Sequence, residues 1–159
     1  MNTIVVYSSS SGFTERYAKW IGEALRCEVA SWNDKITGSL NSYDRVIYGG
    51  NIFASKIVNY DKIKSLNLKN LVVFGVGFTE MGQGYEETLR SENQTGDTPL
   101  FYMQGGVDLS KANFFKKMIL KKIAGVKESI DKSNKAYIDD LVKYCNKEWK
   151  TGSLIKLLD

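Results

Sequence analysis

The residues best placed to do chemistry form one short loop, Ser8-Ser9-Ser10-Ser11-Gly12-Phe13-Thr14. It follows an apolar run and opens a helical pattern. Ser9, Ser11 and Thr14, with Ser10 between them, supply hydroxyl donors. A helix N-terminus adds outward backbone N–H groups and a positive dipole end. Gly12 lets a ligand approach the backbone closely. This donor set suits a phosphate. The same residues also read as a serine-rich turn with Ser11 as a plain N-cap. The loop has neither the GxGxxG turn of a dinucleotide site nor the GK[ST] of a nucleoside triphosphate loop.

Composition removes whole classes of chemistry. The chain of 159 residues has no histidine. Ser-His-Asp and Cys-His catalysis, His-ligated zinc and imidazole pH switches are therefore excluded. Cys27 and Cys145 stand far apart and form no CxxC, so dithiol redox chemistry and metal clusters lack ligands. Both thiols read as structural. No catalytic side chain and no metal ligand set is expected, and any redox chemistry must come from a bound cofactor. The balance of 22 Lys and Arg against 18 Asp and Glu gives a net charge of +4, too mild for a nucleic-acid binder.

These residues need a scaffold, and the hydrophobic pattern describes one. Apolar runs at Ile4–Tyr7, Cys27–Trp32, Val46–Tyr48, Leu71–Val76 and Leu100–Met103 predict five strands, the third closed by Gly49-Gly50. Helical spacing predicts helices over Thr14–Leu25, Tyr60–Leu66, Tyr85–Glu92, Ala112–Ala124 and Asn134–Lys150. Strands that are apolar throughout are buried on both faces, so helices must cover both sides of a parallel sheet. The expectation is a single α/β domain over residues 1–159, a doubly wound five-stranded sheet of order 2-1-3-4-5. In such a sheet, ligands sit beyond the carboxyl ends of the strands, beside strand one. With 43% hydrophobic residues, no run long enough to cross a bilayer and no leader pattern at Met1, the expected compartment is the cytoplasm.

Ser9-x-Ser11-Gly12-x-Thr14, between a first strand and a helix, resembles the FMN phosphate loop of flavodoxins. It matches the pattern T/S-x-T/S-G-x-T at each fixed position. Phe74-Gly75-Val76-Gly77 looks like that family's junction after strand four. Tyr43-Asp44-Arg45-Val46-Ile47 with Ile52, and the stretch Asn113–Lys122, resemble one branch, the menaquinone-dependent protoporphyrinogen dehydrogenases. The resemblance implies a flavodoxin-like fold and FMN as cofactor. Its phosphate would lie at Ser9, Ser10, Ser11, Gly12, Phe13 and Thr14. Its ring would lie between Gly50, Asn51, Ile52, Phe53 and Ala54 on one side and Gly77, Phe78, Thr79 and Tyr85 on the other. A flat isoalloxazine needs an apolar or aromatic wall and backbone groups at its polar edge. Phe53, Phe78 and Tyr85 are the wall candidates. Ordinary core or loop packing is the alternative for each.

A second feature is basic. Lys111, Lys116, Lys117, Lys121 and Lys122 are interleaved with Phe114, Phe115, Met118, Ile119, Leu120 and Ile123. A helix over 111–123 could rest on an anionic membrane or hold an acidic substrate or partner. It also reads as a helix packed on the sheet with solvated lysines. Three functions follow. One is an FMN-binding electron carrier between redox partner proteins. Another is a quinone-dependent protoporphyrinogen dehydrogenase-like oxidoreductase. The third, a flavin-free receiver domain, is weakened by serines and Gly49-Gly50-Asn51 where acidic residues are required.

Overall fold

A computed structural model describes residues 1–122 and 125–158, leaving aside the side chains of 148–150 and 152–157. β1 (Thr3–Ser8) forms where Ile4, Val5 and Val6 favour extended backbone, and all three are fully buried. It lies between β2 (Glu28–Ser31) and β3 (Arg45–Phe53), all parallel. A two-residue strand β4 (Lys56–Ile57) pairs antiparallel with the end of β3. β5 (Leu71–Gly77) and β6 (Leu100–Gln104) complete the parallel series, in the order β2-β1-β3-β5-β6. With the short β4 counted separately, this is the expected doubly wound order. A small antiparallel ribbon of β7 (Gly106–Val107) and β8 (Ile130–Asp131) stands apart from it.

Helices cover both faces because side chains alternate along each strand. Val5, Ile47, Val72 and Phe74 face α1 (Phe13–Leu25) and α6 (Asp139–Leu158), where Tyr17, Ile21, Leu141 and Cys145 close one core. Ile4, Val6, Val46, Tyr48 and Val73 face α3 (Tyr60–Ser65) and α4 (Tyr85–Asn93), where Ile63 and Leu89 close the other. A single turn, α2 (Asp34–Thr37), is capped by the Asn33 side chain. Tyr17 ties the first core together, since its hydroxyl donates to the Gln104 carbonyl and accepts the Asn134 N–H at 3.1 Å.

Several boundaries differ from the sequence expectation. β3 does not close at Gly49-Gly50 but continues to Phe53. The glycines are needed for close packing, not for a turn: a Cβ on Gly49 would lie 2.0 Å from the Phe74 ring, and one on Gly50 would lie 2.7 Å from Ile57 Cγ2. The turn comes later, at Ala54 (φ 48°) and Ser55 (φ 63°), and leads into β4. α5 (Phe114–Lys122) starts after Ala112 because Asn113 Oδ1 accepts the Lys116 N–H at 2.8 Å, as a cap does. Its expected last residues, Ile123 and Ala124, lie outside the described residues. The helix expected from Asn134 begins instead as a 3-10 turn, Lys135–Ile138, and α6 then runs to Leu158.

Replacing Gly49 with Ala should lower stability by about 1–3 kcal/mol, because the Phe74 ring would have to leave its rotamer or move the sheet. Urea denaturation would measure this; an unchanged midpoint would show that the ring yields freely. The pH profile follows from the buried acids. Burial pushes the Tyr17 and Tyr48 phenols up to about 12 and the Cys27 thiol up to about 11. Folding therefore favours their protonated forms. That stability is full below the ordinary values of 9.0 for the thiol and 10.0 for the phenols, and is lost as pH climbs through about 11 to 12. At the acid end, hydrogen bonds from Ser133 and Arg16 hold the Asp131 carboxyl at about 2, so its contribution fades as pH falls below 3.8. With no histidine to titrate, the urea midpoint should be flat from about pH 6 to pH 8 and fall above pH 9. A midpoint still flat at pH 12 would contradict this account.

Candidate functional site

Register brings the strand ends to one level. Ser8 pairs with Gly50, Gly50 with Gly75, and Gly77 with Gln104. The loops leaving this edge enclose a cleft of about 710 Å³. It is the pole at which a doubly wound sheet binds ligands.

The first wall is the serine loop. Ser9 Oγ accepts the Gly12 N–H at 3.0 Å and folds the loop back on itself. Gly12, at φ 92°, is the N-cap of α1, in a left-handed conformation that suits glycine. Ser11 therefore does not cap the helix, and no side chain does. The first N–H groups of α1 are left for another acceptor. Among the described residues, no hydrogen bond engages the hydroxyls of Ser10, Ser11 or Thr14. Thr14 is only 1% exposed and still borders the cleft. Beneath the loop, Ser8 Oγ accepts Asn59 Nδ2 at 3.0 Å and lies 3.0 Å from the Tyr48 hydroxyl, which donates to the Val58 carbonyl. Burial keeps that phenol protonated, so it remains a donor. This network fixes the base of the loop to the segment after β4.

The second wall is the β3–β4 hairpin, which contributes Asn51, Ile52 and Phe53. The third is the end of β5, with Gly77 and Phe78. Two side chains of β6 hold it: the Tyr102 hydroxyl donates to the Thr79 carbonyl, and Gln104 Nε2 reaches the Phe78 carbonyl at 3.5 Å. Phe53 and Phe78 stand on the rim, 66% and 41% exposed. A large exposed aromatic is costly in water and suits a site that stacks flat rings. The fourth wall was not anticipated as part of the site. It comes from Val107, Asp108 and Lys111 and continues along α5 to Leu120. The aromatic and basic pattern of that segment was visible in the sequence, but its position over the serine loop depends on the β7–β8 ribbon.

Of the residues singled out from sequence, Ser9, Ser10, Ser11, Phe13 and Thr14 line the cleft, as do Asn51, Ile52, Phe53, Gly77 and Phe78. Gly12 shapes the loop without forming a wall. Gly50 lies inside β3 with Ile57 packed on it, Ala54 is in the hairpin turn, and Thr79 offers its carbonyl to Tyr102. Tyr85 turns away. Its ring packs edge-on to Tyr102 at 4.7 Å in the second core, which is the ordinary-packing alternative. The cleft thus has a donor-rich anion pole beside a slot with apolar sides and an aromatic rim.

No curated protein sequence matches this chain. Among solved structures, a Trp repressor binding protein from Bacillus subtilis is similar with a TM-score of 0.50 at 14% identity, over 65% of this chain and 85% of that one. A flavodoxin from the domain Archaea matches with a TM-score of 0.47 at 22% identity, over 70% and 88%. A flavoprotein from Lactobacillus acidophilus, solved in complex with FMN, matches with a TM-score of 0.45 at 16% identity, over 65% and 91%. The first of these is a likeness of fold. The family profile described as "Flavodoxin domain" matches residues 4–134, a span running from β1 to the entry of the last helices. FMN, the cofactor expected from the serine loop, agrees with that family. By this match the chain belongs to the flavodoxin domain family.

Proposed function

We propose that this protein is an FMN-dependent electron carrier of the cytoplasm that exchanges electrons with protein partners. The observation that carries the reading is the serine loop: hydroxyls and helix N–H groups without internal partners converge on one pole of the cleft. The residues fit the group. A phosphate monoester needs many donors at close range, and Ser10, Ser11, Thr14 and the start of α1 supply them. When bound, FMN supplies one- and two-electron transfer. The chain's own residues do the rest. Ser9 holds the loop in its receiving shape. The hairpin and the Gly77–Phe78 segment form the sides of the ring slot. Phe53 and Phe78 exclude water from its rim. The rim's exposure leaves an edge through which electrons pass to a docked partner.

A second reading rests on α5. Lys111 and Lys116 border the cleft together with Phe115, Ile119 and Leu120. That mixture of cations and apolar surface suits a flat substrate bearing carboxylates, such as a porphyrinogen, with a quinone as acceptor. Phe114, 82% exposed on the same helix, gives a means of resting on a membrane where quinones reside. Among the described residues no helix is long and apolar enough to cross one. FMN-loaded protein given protoporphyrinogen and a soluble quinone separates the two: turnover favours the oxidoreductase, and exchange with reductases alone favours the carrier.

Replacing Ser11 and Thr14 together by Ala should weaken FMN at least about tenfold, since charge-assisted hydrogen bonds contribute about 1.5–3 kcal/mol each. Flavin fluorescence titration measures it, and an unchanged Kd would remove the phosphate from this loop. Gly12→Val should block FMN uptake with little loss of secondary structure. At φ 92° a branched side chain is strained, and its Cβ would stand 3.0 Å from Lys111 Nζ. Normal uptake by a folded Gly12→Val protein, checked by circular dichroism on the same sample, contradicts the assignment.

A further inference from the structure

One cation leans over the serine loop from the opposite wall. Lys111 Nζ lies 3.5 Å from the Ser11 carbonyl oxygen and 3.0 Å from where a Cβ would stand on Gly12. The Asp108 carboxylate lies 4.0 Å away, the Glu15 carboxylate in the first turn of α1 is also within electrostatic reach, and 58% of the Lys111 side chain is exposed. Neither contact holds an ammonium firmly: the carbonyl is at the limit of a hydrogen bond, and the ion pair is long and solvated. The Ser110 hydroxyl and N–H both donate to Asp108 Oδ1, while Lys111 faces the other oxygen, Oδ2, only at long range.

The helix that follows is also incompletely held. None of the residues of α5 is buried, although Phe115, Ile119 and Leu120 turn toward the cleft. An apolar helix face gains stability only from something packed against it. Here the space in front of that face is the cleft itself.

Charge points the same way. A phosphate monoester carries about −1.5 to −2 at neutral pH. The serine hydroxyls are neutral, and a helix N-terminus counts for about +0.5. The remainder matches one ammonium, and Lys111 is the cation bordering the cleft that already touches the loop. Resting on the FMN reading above, we propose that Lys111 is the charged ligand of the FMN phosphate and that this contact draws the segment from Val107 to Lys122 over the cofactor as its closing wall. Phosphate recognition and closure of the cleft are then one event.

Kd values for FMN and for riboflavin, which lacks the phosphate, test this in the wild type, Lys111→Met, Lys111→Arg and Lys116→Met. Lys111→Met should weaken FMN about tenfold and leave riboflavin within about twofold. Lys111→Arg should retain most of the FMN affinity, and Lys116→Met should leave the preference for FMN over riboflavin unchanged. Hydrogen exchange across 107–122 should slow when FMN is added to the wild type, but not with riboflavin and not in Lys111→Met. The exposure of this side chain makes loss of folding an unsuitable explanation, and circular dichroism checks it. An unchanged FMN Kd in Lys111→Met, with Ser11 and Thr14 still required, overturns the role of Lys111 and leaves the FMN site standing. A wild type that takes up neither flavin overturns the FMN reading and this proposal with it.

Discussion

Parallel pairing sets Ser8 of β1 opposite Gly50 of β3, and Gly50 opposite Gly75 of β5. A one-residue slip would exchange the two faces of a strand that is buried on both, so this register is held by two cores at once. Its consequence is positional. The serine loop, the hairpin after β3 and the Gly77–Phe78 segment leave the sheet at one level and face the same space. Glycines make the arrangement possible. Phe74 crosses the β3 backbone where Gly49 has no side chain, and Ile57 folds back over Gly50. Larger residues at these positions would push the hairpin away from the loop it faces.

The site then combines fixed and loosely held parts. The serine loop is anchored by Ser9 to Gly12 and, beneath it, by Ser8, Tyr48 and Asn59. The Phe78 segment is anchored by Tyr102 and Gln104. These contacts prearrange the donors, which reduces the ordering cost of binding. In the wall formed by α5 no side chain is buried, and Phe115, Ile119 and Leu120 border the cleft.

Much of the fold was legible in the sequence because burial on both faces leaves continuous apolar runs. Ile4–Tyr7 and Leu71–Val76 correspond closely to β1 and β5. The place of the serine loop at the cleft was legible because its pattern is local, with hydroxyls and a glycine at fixed spacing between a strand and a helix. The hairpin was not. A two-residue turn with both φ values positive normally uses Asn-Gly or Asp-Gly, and here Ala54-Ser55 adopts it with no such signal. Gly49-Gly50 misled for the converse reason, since their glycines answer to packing from Phe74 and Ile57, contacts distant in sequence. Tyr85 was misplaced because an aromatic at a loop end suits a flavin wall or a core equally, and only the position of Tyr102 decides. The role of the basic helix as a wall depends on β7 pairing with β8 across more than twenty residues, which no local pattern encodes.

The central claim is that the cleft holds FMN through its phosphate. The most direct measurement is the visible absorption spectrum of the purified protein, followed by heat release and chromatographic identification of the flavin, with FMN titrated into any colourless fraction. The account predicts flavin absorption bands, FMN as the released species and saturation at one FMN per chain. A well-folded protein that carries no flavin and shows no spectral change on addition of FMN would contradict it.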